Sequence, residues 1–136
     1  MVYVCGLPGS GNRLMRDYCM CLSWSASLWH GDGRAGGGPP IKYPRADIRC
    51  IIPVRHPGNR ERSYTPTRSE DLCGPVCRGR VLRWASTVPT LLVSYEATCM
   101  DHEGVFRHIC AFLGEAYRPC PFEVYDGTRR SLMETT

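Results

Sequence analysis

The sequence predicts an α/β fold, a small parallel sheet covered by helices on both faces in three layers, α/β/α. Three observations carry that expectation. Short apolar runs of strand length, "VYVC", "DIRCIIPV" and "TLLVSY", are bounded by Gly, Pro or polar residues, as buried parallel strands are. Segments of helical periodicity lie between them, and strands that alternate with helices form parallel sheets. The strand ends carry Gly6, His30, Arg55-His56 and Tyr95-Glu96, and ligands collect at the carboxyl edge of such a sheet.

Val2 to Cys5 reads as a short buried strand that stops at Gly6. From Gly11 to about Ala26 the chain reads as a helix, with Leu14, Met15, Tyr18, Cys19 and Leu22 near helical spacing. Ser27 to His30, "SLWH", is a second short strand, and "GDGRAGGGPP" is a loop. Asp47 to Val54 is the clearest strand, ending at the turn Arg55-His56-Pro57-Gly58, with a short helical turn expected from Asn59 to Ser63. Residues 64–75 are polar and Pro-bearing, which predicts a surface loop. Val76 to Ser86 is a helix with Val81, Leu82 and Trp84 as its apolar positions, followed by a buried strand from Thr90 to Tyr95. Glu103 to Leu113 is a helix with Val105, Phe106, Ile109, Phe112 and Leu113 on one side and Gly114 placed to stop it. From Glu115 onward the pattern assigns no element.

A chain of 136 residues is expected to form one domain, spanning 1–136. No run approaches the roughly 18 apolar residues of a membrane span, so no membrane partner is expected. No basic n-region precedes an apolar h-region, so no signal peptide is expected. The nine cysteines therefore read as free thiols of a reducing, cytoplasmic compartment. Cys19-x-Cys21 and Cys73-x3-Cys77 do not have the paired spacing of a structural zinc site. The net charge of +4 is carried by arginine, with Lys42 the only lysine. Arg suits bidentate contacts to phosphate or sulfate, although a GC-rich coding bias would also raise Gly, Pro and Ala. The arginines are scattered, with no basic stripe and no interleaved aromatic run, so nucleic acid is not an expected partner. Composition leaves the oligomeric state open.

The stretch "GLPGSGNRLM" joins the first strand to the first helix. A strand, a Gly-rich turn and a helix N-terminus together make an anion site, because successive N–H groups point inward and the helix dipole favours negative charge. Gly6, Gly9 and Gly11 permit the turn, and Ser10 can add a hydroxyl; a plain strand-to-helix turn has the same composition. A nucleotide-kinase loop, G-x-x-x-x-G-K-[ST], needs Lys on the phosphates and Ser or Thr on magnesium. Here Asn12 and Arg13 occupy those positions, so the kinase reading fails where it matters most.

The loop resembles the 5′-phosphosulfate loop of the sulfotransferase family, roughly P-[KRG]-S-G-[TN]-T-hydrophobic, through Pro8, Gly9, Ser10, Gly11 and Asn12. A second family motif, a strand ending in R-[DNH]-P with a Ser eight residues after the Arg, is matched by "IIPVRHPGNRERS", with Arg55 and Ser63. "SLWHGDG" places His30 where the family often has its catalytic base. "LLVSYEATCMDHEGVFRHICAFLGE" is similar to the family's Y-E-x-L segment and the helix that follows it. The resemblance covers about Met1 to Glu115. It implies a P-loop NTPase-like fold and the donor 3′-phosphoadenosine 5′-phosphosulfate (PAPS), whose sulfonate passes in line to a hydroxyl or amine acceptor. Arg55 and Ser63 would hold the 3′-phosphate, Tyr95 would lie near the nucleotide, and His30 would take the acceptor proton.

The departures are specific. The loop residue that is often Lys or Arg is Gly9. The second Thr is Arg13, which either replaces that cation in catalysis or obstructs the phosphate. The adenine-stacking aromatic is Leu14, with Trp24 and Trp29 as substitutes or core residues. The R-K-G-x-x-G-D-W motif is absent, and only Arg129 and Arg130 of "YDGTRR" stand near its place. His56 is expected to hold the turn, Glu96 to order the edge, and Asp32 to orient His30 or simply belong to a Gly-rich turn. A non-catalytic nucleotide-binding module of the same fold is the alternative.

Overall fold

The computed structural model describes residues 1–7, 9–31, 38–39, 47–59 and 68–122, with the backbone alone over 68–73. Among these, β1 (Val2–Val4), β2 (Ala26–Leu28), β3 (Arg49–Val54) and β4 (Thr90–Ser94) form one sheet in the order β2-β1-β3-β4. Every pairing is parallel. The helices are α1 (Asn12–Cys21), α2 (Arg68–Ala85), α3 (Tyr95–Met100) and α4 (His102–Leu113). The α/β expectation is met.

The strand order has a functional consequence. From β1 the chain crosses to β2 on one side, whereas β3 lies on the other side of β1. The order therefore reverses between β1 and β3, and in open parallel sheets such a reversal opens a crevice at the strands' carboxyl ends. Right-handed crossovers that run in opposite directions place their helices on opposite faces.

Alternation along the strands builds the two faces. Val2, Val4, Ile51 and Val93 point to one side, where they pack with Met15, Tyr18, Cys19 and Leu22 of and just after α1 and with Phe106, Ile109 and Leu113 of α4. Tyr3, Cys5, Cys50 and Ile52 point to the other, against Val81, Trp84 and Ala85 of α2. Trp84 meets both Tyr3 and Trp29 edge-on, with ring centroids 5.5 Å apart in each pair. On the opposite face Tyr18 and Phe106 stack at 4.3 Å. The Tyr18 hydroxyl donates to the Arg118 carbonyl at 2.6 Å, which ties the segment after α4 back onto α1.

Most element expectations hold within a residue or two, and the departures have local causes. The first helix stops at Cys21, five residues before the expected end near Ala26, because Leu22 and Ser23 bond back to Tyr18, Cys19 and Met20 carbonyls and Ser23 adopts φ 67°. Residues 68–75 are not a loop as expected. The helix starts at Arg68, and Gly74 (φ 33°, ψ −144°) breaks it before Pro75, whose missing N–H and fixed ring suit the first turn of the second segment. Leu82 is exposed, while Val81 and Trp84 are buried. Gly114 closes α4 in the left-handed region as expected, at φ 73°. The eight described cysteines are free thiols, and the described residues contain no cluster able to hold a metal. No described helix is long and apolar enough to cross a membrane.

Phe106→Ala should lower the unfolding free energy by about 3–5 kcal/mol, since the ring is fully buried against Tyr18. Leu92→Ala, at a largely exposed position, should change it by less than about 0.5 kcal/mol. Urea titration of both variants checks the contrast.

Candidate anion site at the carboxyl edge

The loop after β1 is shaped from within by Asn12. Its side chain is buried; Oδ1 accepts from the Gly6 N–H at 2.9 Å, and Nδ2 donates to the Gly6 and Leu7 carbonyls at 3.0 and 3.3 Å. The Ser10 N–H donates to the Leu7 carbonyl at 3.1 Å, and Ser10 is itself buried. Gly6 is wedged in place: a Cβ there would sit 2.5 Å from Asn12 Oδ1 and 2.6 Å from the Pro53 carbonyl oxygen. Asn12 thus works as a latch across the loop. It occupies the position of a kinase lysine, yet its side chain is turned back into its own backbone.

Gly11 caps α1 with φ 94° and ψ 22°, no side chain caps this end, and no acidic residue stands in the first turn. The opening N–H groups of a helix lack intrahelical partners and carry partial positive charge. Arg13 adds an exposed cation to that same turn, where the helix dipole disfavours it unless an anion is present.

The register between β3 and β4 pairs Val54 with Ser94, so Arg55 and Tyr95 emerge level, one residue past the sheet. The Arg55 guanidinium lies 4.5 Å from the Tyr95 ring centroid, a cation–π contact worth about 0.5–1 kcal/mol at exposed sites. Its Nη1 donates to the Gly9 carbonyl at 2.9 Å. Its Nε is buried with no hydrogen-bond partner among the described residues. The other edge of the Tyr95 ring fills the space beside Gly11, where a Cβ would come within 2.6 Å of Cδ2. Loop, β3 end and β4 end are therefore in mutual contact through two side chains. From the opposite face Arg78 of α2 donates to the Cys5 carbonyl at 2.6 Å, at the root of the loop.

Glu96 organises the turn after β3. It accepts from the His56 N–H at 2.7 Å and from Asn59 Nδ2 at 3.1 Å, while His56 Nδ1 accepts from the Gly58 N–H at 3.1 Å. Partial burial pushes the Glu96 carboxyl up, but Asn59, the His56 amide and the nearby Arg55 charge outweigh it, and the carboxyl lies below its ordinary value. His56 and Glu96 hold the turn and the edge, as the sequence suggests.

His30 lies past β2, whose Leu28 pairs with Val4. The register sets His30 level with Gly6, and its side chain is exposed without a hydrogen bond or ion pair among the described residues. Trp29 is a core residue buried in the α2 face, and Trp24 donates to Glu115 at 3.1 Å. Pro8, Asp32, Ser63, Arg129 and Arg130 fall outside the described residues. The structure brings together Gly9, Gly11, Asn12, Arg55 and Tyr95. Sequence reasoning missed Arg78 and Asn59 and the latch formed by Asn12; an Asn following a Gly at a helix start is the signal that points to the last.

Comparison with known proteins finds no matching family model, no matching curated protein and no matching solved structure.

Asn12→Ala should destabilise the fold by about 1–3 kcal/mol, because it strands the buried Gly6 N–H and carbonyl. Denaturant unfolding measures this, and the loss should exceed that of Arg13→Ala, which removes only an exposed side chain. Glu96→Gln should cost about 1 kcal/mol or less at neutral pH, since the carboxylate is only partly buried. A depressed folded-state pKa stabilises above the unfolded value of about 4.3 and is lost as pH falls through the folded one. The difference between wild type and Glu96→Gln should therefore shrink as unfolding is measured at progressively lower pH.

Proposed function

We propose that this chain binds PAPS at the Gly-rich loop and transfers its sulfonate to a hydroxyl or amine acceptor. The observation that carries the reading is the Arg55 guanidinium at the mouth of the loop, held on the Gly9 carbonyl and the Tyr95 ring. One hydrogen bond leaves most of its five N–H donors free, and its buried Nε has no partner among the described residues. Beside it stands a helix N-terminus with no capping side chain and no acidic residue. Two arginines and this helix end favour a compact multivalent anion. The sulfotransferase-like order of loop, His30, Arg55 and Tyr95 supports a phosphosulfate as that anion.

The residues fit a phosphosulfate. The N–H groups of Gly9, Gly11, Asn12 and Arg13 would cradle its oxygens, the Ser10 N–H being taken by the Leu7 carbonyl, and Arg13 would offset the charge that grows on the leaving phosphate. Bound there, PAPS supplies an activated sulfonate, whose S–O bond to the 5′-phosphate breaks with its electron pair left on phosphate oxygen as an acceptor lone pair bonds sulfur. His30 takes the acceptor proton, a task that suits an imidazole. Tyr95 holds Arg55 at the loop. Ser63, Arg129 and Arg130 are the further proposed donor contacts.

Gly9, which leaves no cation where the family's loop often has Lys or Arg, favours a second reading, a non-catalytic module that binds the nucleotide without transfer. Calorimetric titration with adenosine 3′,5′-bisphosphate, beside adenosine 5′-monophosphate and magnesium-ATP, tests the common element. The bisphosphate should bind most tightly; equal or absent binding of all three overturns both readings. Release of radiolabelled sulfonate from PAPS to phenol or amine acceptors separates them. In the enzyme, His30→Ala should slow transfer by about 10²–10⁴-fold with bisphosphate affinity unchanged.

A further inference from the structure

We infer that Arg55 serves the 5′ end of the donor, supplying from β3 the cation that position 9 lacks, and not the 3′-phosphate to which the family resemblance would assign it. The inference rests on the proposed donor site and concerns which of the donor's two anionic ends this arginine meets.

The loop cannot carry its own cation at position 9. Gly9 has φ 80°, a left-handed backbone that costs an L side chain about 1–2 kcal/mol. The same conformation accompanies a Gly9 carbonyl that meets Arg55 Nη1 at 2.9 Å. The guanidinium is thus within one hydrogen bond of the loop that would cradle the 5′ group, and the Tyr95 ring behind it restricts its swing. Tyr95 is in turn backed by Gly11, another loop residue, with no room for a Cβ between them. Both ends of this contact chain, Gly9 and Gly11, belong to the loop. An arginine anchored to the loop at Gly9, and braced through Tyr95 on Gly11, moves with the 5′ cradle. Its remaining Nη N–H groups present charge beside that cradle, while Nε is buried without a partner among the described residues.

The test separates the two ends. Wild type and Arg55→Ala are titrated with adenosine 5′-monophosphate, adenosine 3′-monophosphate and adenosine 3′,5′-bisphosphate. The substitution should weaken the 5′-monophosphate and the bisphosphate by a similar factor, about thirtyfold, and leave the 3′-monophosphate unchanged. A loss confined to the 3′-monophosphate and the bisphosphate overturns the inference and leaves the donor site standing. Equal losses on all three mark a structural role and also overturn it. If wild type binds none of them, the donor reading falls and the inference falls with it. Arg55→Lys, which keeps the charge but not the fork, covers the case in which the alanine variant does not fold. Its smaller loss should again appear only on ligands bearing a 5′-phosphate, and a loss on the 3′-monophosphate overturns the inference.

Discussion

The carboxyl edge of the sheet depends on one buried amide. Asn12 satisfies the N–H and the carbonyl of Gly6 at once, and it does so from the first residue of α1. A loop that turns this tightly buries backbone groups that water can no longer reach, and each would cost about 1–3 kcal/mol if left unpaired. With Asn12 in place, β1 passes into α1 through a turn whose remaining carbonyls can face outward. The Gly9 carbonyl is the one that Arg55 uses. Remove the latch, and neither the cradle nor the arginine's anchor has a defined position.

The parallel register carries this local order across the sheet. Val4 is paired with Leu28 on one side and with Ile51 on the other, and Val54 with Ser94 further along. Residues remote in the chain therefore leave the sheet at neighbouring heights: Gly6 with His30, and Arg55 with Tyr95. Strand pairing also keeps β1 and β3 in contact at the point where strand order reverses, which is where Arg55 leaves the sheet. The two cores hold the edge rigid from opposite faces. Arg78 shows the coupling directly, since a helix that buries Val81 and Trp84 also reaches the carbonyl of Cys5.

The Arg55 charge helps to lower the Glu96 carboxyl across this edge, but the two side chains take different hydrogen-bond partners. Glu96 is the carboxylate nearest to Arg55 in the turn network, yet its hydrogen bonds go to His56 and Asn59. Arg55 is correspondingly held by a neutral carbonyl and an aromatic face, neither of which cancels its charge. The uncapped start of α1 and Arg13 add to the same positive region, and an anion is the group that relieves their mutual repulsion.

Sequence alone determined the alternation of strands and helices, the carboxyl-edge position of Gly6, His30, Arg55 and Tyr95, and the stop at Gly114. Each follows from short-range patterning: apolar runs of strand length, apolar spacing on α4, and a glycine where φ must be positive. It also suggested that His56 and Glu96 hold the turn, because a turn signal and a carboxylate lay at adjacent strand ends. Other features were decided only by the tertiary structure. The strand order is set by pairing between distant segments, and no local pattern states that β1 lies between β2 and β3. The helical start at Arg68 was hidden by a polar, Pro-bearing stretch, since Pro75 follows a break at Gly74 and does not interrupt a continuous helix. Asn12 reads from sequence as a donor-binding position of the loop, whereas in the fold its amide bridges Gly6 and Leu7. The contact of Arg55 with Gly9 spans 46 residues. A composition or a motif can name both residues, but only the folded sheet brings the guanidinium to that carbonyl, because the register sets the height at which each strand ends.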